Sequence, residues 1–226
     1  MLNWLYGAYG LACFGGIACL VLLVNLVVFN PRTRRLIAAA SARLILRLLG
    51  MPFRVDGLDR LPREPCVVVA NHSSYIDGLV ATAALPPEFV FVIKKEMGAV
   101  PLASTLLRRL GSEFVERHDR KQGAADARRV LKRAAEGQSL VFFPEGTFTA
   151  TRQVGPFLRG AFATAARANI PIVAVALHGT RAVLPPGSLR LRRGPIRVEV
   201  LETLQGPEAR QRSREIIARA LGEPLA

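Results

Sequence analysis

The first thirty residues, Met1 to Asn30, carry no charged side chain, and Leu11 to Phe29 reads LACFGGIACLVLLVNLVVF. About 20 such residues, rising 1.5 Å each, cross a hydrocarbon core of about 30 Å. Trp4, Tyr6 and Tyr9 fall where an interfacial aromatic belt would sit. The length favours a single transmembrane helix over residues 1–30. Two alternatives stay open: a shallow or re-entrant anchor broken at Gly15-Gly16, and a cleaved signal, which the absence of a basic segment ahead of the run disfavours.

Directly after it comes PRTRRLIAAASARLILRLLG, with Arg32, Arg34, Arg35, Arg43 and Arg47 and no acid. The positive-inside rule places this flank, and the domain behind it, on the cytoplasmic side of an inner or cytoplasmic membrane. Leu36, Ala40, Leu44 and Leu48 recur every fourth residue beside Arg43 and Arg47. Residues 31–50 therefore predict a basic amphipathic helix suited to an anionic lipid surface, or a helix packed on the domain with its charges in solvent.

Beyond residue 50, short apolar runs alternate with helical patterns. Cys66–Ala70, Phe89–Ile93, Leu140–Phe143 and Ile172–Leu177 are near-continuous, as strands buried on both faces are. Phe53–Asp56, Glu113–Glu116 and Ile196–Leu201 alternate, as edge or half-exposed strands do. Helical patterns cover Gly78–Ala84, Leu102–Leu110, Ala124–Ala135, Phe157–Ala168 and Arg212–Leu221. The prediction is one α/β domain over residues 51–226, with a mixed or mostly parallel sheet flanked by helices. Ligands of such sheets gather at the carboxyl ends of the strands. Three cysteines in 226 residues make no disulfide framework, and three histidines without HExxH give no zinc motif; no metal site is expected. The net charge of +14 suits phosphate-bearing partners. Nucleic acid is disfavoured, because the Arg-rich stretch abuts the apolar run and no nucleic-acid-binding signature appears.

Two loops carry chemistry. The strand CVVVA opens into Asn71-His72-Ser73-Ser74-Tyr75-Ile76-Asp77. On an ideal helix, five residues separate His72 and Asp77 by roughly 140°, so they meet only if the turn bends between them. A carboxylate on one ring nitrogen leaves the other as a base. The plainer alternative makes Asp77 a helix cap and His72 a turn residue. No GxSxG elbow supplies a serine nucleophile, so a base here would act on a substrate hydroxyl. The second loop, LVFFPEGTF, runs from a buried strand into Glu145-Gly146-Thr147. There Gly146 permits a tight turn with an N–H open to a ligand, and Glu145 could bind a hydroxyl or an arginine.

Together the two loops resemble the glycerolipid acyltransferases, the family of the lysophosphatidate acyltransferases. NHSSYID matches its His-x4-Asp signature and FPEGTF its FPEGT block. GSEFVER (Gly111 to Arg117) is similar to its middle block, and IPIVAVAL to its last; the lysines of FVIKKEMGAVPL also sit where members carry basic residues. The resemblance covers about Phe53 to Leu201. It implies a glycerol-phosphate acyltransferase-like fold and acyl transfer from acyl-CoA or acyl-ACP to the hydroxyl of a lysophospholipid, first of all 1-acylglycerol-3-phosphate. It implies no cofactor beyond that thioester co-substrate. His72 would be the base and Asp77 its orienter. Arg117 would hold the acceptor phosphate; Glu145, Gly146 and Thr147 would line the acceptor side. Lys94, Lys95 or an N–H near Gly146 would serve the oxyanion.

Phe148 departs from the arginine that often follows EGT in the family. Arg152 or Arg159 could replace it, and a lyso-ornithine lipid or another lysolipid could be the acceptor. A non-enzymatic, membrane-anchored binding module is the alternative of a different class.

Overall fold

The computed structural model describes residues 2–116, 119–147, 151–188 and 190–226. Helix α1 (Leu2–Val27) and helix α2 (Pro31–Leu48) precede strand β1 (Phe53–Asp56). The order then runs β2 (Val67–Ala70), α3 (Asp77–Ala84), β3 (Phe89–Lys94), α4 (Ala103–Arg109), β4 (Glu113–Val115), α5 (Arg120–Ala135) and β5 (Ser139–Phe142). It closes with α6 (Gly160–Ala168), β6 (Ile172–His178), α7 (Thr180–Val183), β7 (Ile196–Leu204) and α8 (Ala209–Leu221). The seven strands form one sheet in the order β1-β7-β6-β2-β5-β3-β4. Every pair is parallel except β6–β7.

The central strands are valine-rich because both their faces are covered. Val67, Val68 and Val69 of β2 have no exposure, and β5 and β6 flank them with Leu140, Val141 and Val173–Leu177. Cys66, next to Ser139, belongs to this core, where burial pushes its thiol up to about 11. Parallel pairing sends β2, β3 and β5 to the same edge, so the two loops singled out in the sequence emerge side by side.

Helix α1 is unbroken through Gly15-Gly16 and is long and apolar enough to cross a membrane. Asn30 caps α2 by accepting from the N–H groups of Arg32 and Thr33, with Pro31 in the first turn, and the chain doubles back. The hairpin is tied at both ends. Tyr6 donates its hydroxyl to the Leu49 carbonyl (2.7 Å), the Leu191 side chain lies on Gly10, and Arg109 donates to the Asn25 carbonyl (3.2 Å). Trp4, Leu11, Phe14, Leu20, Leu23 and Phe29 remain outward.

Helix α2 is less separate than the expected boundary at residue 50 suggests. Ala42, Ile45 and Leu46 join the main core beside Val80 and Ala84 of α3, and Arg43 donates to the Ala83 carbonyl (2.7 Å). The Leu36/Ala40/Leu44/Leu48 stripe points away from that core and is exposed. Thus α2 carries two apolar faces, one packed on the domain and one exposed.

Candidate active site

At the end of β2 the sheet pairing is carried one residue further by a side chain. Buried Asn71 accepts from Leu177 N–H (2.8 Å) and donates to Leu177 C=O (3.1 Å), mimicking a strand partner for β6. The chain then turns sharply, and the turn is organised by Asp77, the first residue of α3. One oxygen, Oδ2, accepts from the backbone N–H of Ser73 (2.6 Å) and Ser74 (2.8 Å) and meets His72 Nδ1 at 2.9 Å. Asp77 is fully buried, and its charge sits at a helix N-terminus, where the dipole favours it. Asp77 thus ties the imidazole to the N–H groups of the turn ahead of α3; it is not the cap that the plainer reading expected, since the N-cap position is Ile76 and no side chain caps the helix.

An ionised carboxylate at Nδ1 fixes the tautomer with the proton there and puts the lone pair on Nε2. The ring stacks on Phe143, centroids 4.6 Å apart and planes at 23°, while the side chain keeps 22% exposure. The neighbouring serines are engaged elsewhere. Buried Ser73 shares a hydroxyl hydrogen bond with Thr180 (3.1 Å), and Ser74 donates to the Leu184 carbonyl (2.6 Å).

Glu145 holds the backbone of His72. Its Oε1 accepts the His72 N–H (2.7 Å) and its Oε2 accepts the Gly155 N–H (2.8 Å). Burial raises its pKa, opposed by those two hydrogen bonds and by the charges of His72 and Arg181. Gly146 takes the turn with φ +78°, as expected, but its N–H donates to Phe143 C=O (3.0 Å), so it is not the open donor that the sequence suggests. Thr147 is exposed at the loop's end.

Lys94 ends β3, about 10 Å (two strand spacings) along the same edge from β2. Lys95 follows it and turns outward, with its ammonium 2.7 Å from Gln122 Oε1 and 3.3 Å from Glu116 Oε2. Arg117 and Phe148 lie outside the described residues. Arg152 and Arg159 are exposed, the latter directly ahead of α6. A cavity of about 470 Å³ beside β4 and α5 has Lys95 and Arg108 in its wall, with Arg129 and Arg133 paired to Glu113. No residue of the His72 turn lines it.

Sequence reasoning missed the scaffolding: Asn71, Ser73, Ser74 and the clamping use of Glu145. An Asn directly after a buried strand was the available signal, since a side-chain amide can replace a backbone one.

A seven-stranded α/β sheet with a histidine–carboxylate pair at the carboxyl end of a central strand defines the class. The acyltransferase family model matches residues 52–178, and the chain belongs to the acyltransferase family. It is 30% identical over 212 residues to the chloroplastic 1-acyl-sn-glycerol-3-phosphate acyltransferase of Brassica napus, covering 87% of this chain and 61% of the relative. It is 31% identical to the lyso-ornithine lipid O-acyltransferase of Pseudomonas aeruginosa, covering 82% and 77%. The crystal structure of the 1-acyl-sn-glycerophosphate acyltransferase PlsC from Thermotoga maritima superposes with a TM-score of 0.78. That match has 20% identity and covers 97% of this chain and 93% of that one; it shows the shared fold. The chain spans 61% and 58% of the first two curated relatives, the second from Arabidopsis thaliana.

Proposed function

We propose that the protein transfers an acyl group from a thioester, acyl-CoA or acyl-ACP, to the free hydroxyl of a lysophospholipid, with 1-acylglycerol-3-phosphate the first candidate and phosphatidate its product. The observation that carries this is the His72–Asp77 pair, with both neighbouring serine hydroxyls committed elsewhere. His72 Nε2 takes the acceptor's hydroxyl proton as that oxygen bonds to the thioester carbonyl carbon. The tetrahedral oxyanion collapses, the carbon–sulfur bond breaks, and the imidazolium returns its proton to the departing thiolate. Asp77 stabilises the imidazolium in between. Glu145 fixes where the ring starts from, and Lys94, at the end of β3 on the same sheet edge, is the cation assigned to the oxyanion. No cofactor is required by this scheme.

The departure at Phe148 and the likeness to the Pseudomonas aeruginosa relative favour one second reading, a lyso-ornithine lipid as the acceptor. A binding module without chemistry leaves the His72–Asp77 pair unused. The membrane reading is ours as well: α1 and the exposed stripe of α2 rest in lipid, with the Arg-rich flank and the domain on the cytoplasmic side. One assay tests the function. Detergent-purified protein is offered both donors with a panel of lysolipids and the products are weighed by mass spectrometry. A diacyl product formed only with protein present supports acyl transfer, and its head group names the acceptor. Unconsumed thioester with every acceptor sinks the reading.

A further inference from the structure

Glu145 is itself held, and the holding group lies far from either motif. Arg214, in the middle of α8, donates Nε to Gly155 C=O (2.7 Å) and Nη2 to Val154 C=O (2.8 Å) and to the main-chain oxygen of Ala226 (2.5 Å). The segment after α8 runs beside residue 154 as a short parallel bridge. Val154 N–H donates to Pro224 C=O (2.9 Å) and Ala226 N–H to Val154 C=O (3.0 Å). Val154 is buried against Ile217, Ala218 and Phe157 in a small apolar cluster of its own. Glu223, at the start of that segment, takes Arg181 (3.4 Å), the cation whose charge also reaches Glu145. Gly155 then presents its N–H to Glu145, and a Cβ there would stand 3.0 Å from Oε2, so any larger residue would push the carboxylate aside by a few tenths of an ångström.

We infer that Arg214 is a positioning residue for His72, acting through Gly155 and Glu145. It pins the two carbonyls that flank the Gly155 N–H, Gly155 aims Glu145, and Glu145 fixes the backbone of the base. The contacts form one uninterrupted series from α8 to the imidazole, and nothing in the His-x4-Asp or FPEGT blocks encodes its far half. Two of the three main-chain oxygens that this guanidinium holds are the carbonyls of Val154 and Gly155, so its planar fork fixes the geometry of the loop on either side of the Gly155 N–H.

The inference rests on the proposed role of His72, so its test has one arm that reads activity and one that does not. Arg214→Met and Arg214→Lys are compared with the full-length wild type in detergent. Arg214→Met should lower kcat by ~10- to 100-fold, the scale of a displaced reacting group, with both KM values within about 2-fold. Arg214→Lys should recover part of it. The acid limb of kcat should move to higher pH in Arg214→Met, because a carboxylate losing a hydrogen bond protonates more readily. Independently of turnover, hydrogen exchange of the peptide over Asn71–Ile76 should quicken by ~10-fold or more while residues 89–94 are unchanged. An unchanged turn in a folded Arg214→Met protein overturns the inference, whatever the activity. Uniform quickening across the sheet also overturns it, since that marks general loosening. A quickened turn in a protein whose wild type transfers no acyl group keeps the linkage and refutes the proposed chemistry instead. Gly155→Ala gives the same reading from the middle of the series should Arg214→Met fail to fold.

Discussion

Asp77 divides one oxygen among three donors and leaves the other, Oδ1, buried without a hydrogen bond among the described residues. Asp77→Asn can keep the three bonds on its oxygen but loses the charge that stabilises an imidazolium and buries an amide NH2 without a partner. Turnover should fall by ~10²–10⁴ and stability by about 1–3 kcal/mol, read by initial rates and urea melts. His72→Ala should lose turnover on the same scale with donor and lysolipid binding little changed, and the double variant should be far from additive. A trapped acyl group on Ser73, Ser74 or Cys66 would contradict the scheme. Arg117→Ala tests the phosphate assignment: the acceptor KM should rise strongly, and Lys should restore part of it. Glu145 carries the pH argument. Its folded pKa is raised, so the folded state binds the proton more tightly than the unfolded chain, and its ionisation removes stability as pH climbs from the ordinary carboxylate value to the folded one. Only the ionised form accepts both amides, so activity should be lost as pH falls through that raised value. Glu145→Gln should remove this stability trend, checked by denaturant melts from about pH 4 to about pH 7.

At the scale of elements, the strands were legible because burial on both faces demands runs of valine, and a run such as CVVVA admits few other fates. Helix starts were legible for α2, α3 and α4 to within a residue, and missed by three or four residues for α5, α6 and α8. Helix α5 begins at Arg120, four residues ahead of its apolar pattern, because Asp119 caps it by accepting from Lys121 and Gln122. The first turn is basic, so periodicity could not reveal it. The His72–Asp77 pairing was legible as a spacing, while its geometry depends on Asn71 joining Leu177, a contact 106 residues away in sequence. Asn71→Ala should orphan both Leu177 groups, cost about 2–3 kcal/mol by urea melt, and lower kcat by releasing the turn. The two-faced character of α2 was invisible for a related reason: a period of four marks a stripe without saying which neighbour covers it.

For the whole molecule, the hairpin's outward apolar face predicts retention on membranes through a high-salt wash, read by sedimentation and blotting; release by salt alone would show the attachment to be electrostatic. The order of the sheet has a consequence for how the chain is made. Strand β1 must find β7, joining Phe53 to Ile196, and β2 waits for both β5 and β6. A growing chain thus exposes α1 and α2 long before the residues that cover Gly10 and the core face of α2 exist. Synthesis beside a bilayer shelters the hairpin during that interval; refolding the finished chain from denaturant in plain buffer offers no such refuge, and aggregation there should outrun closure of the sheet.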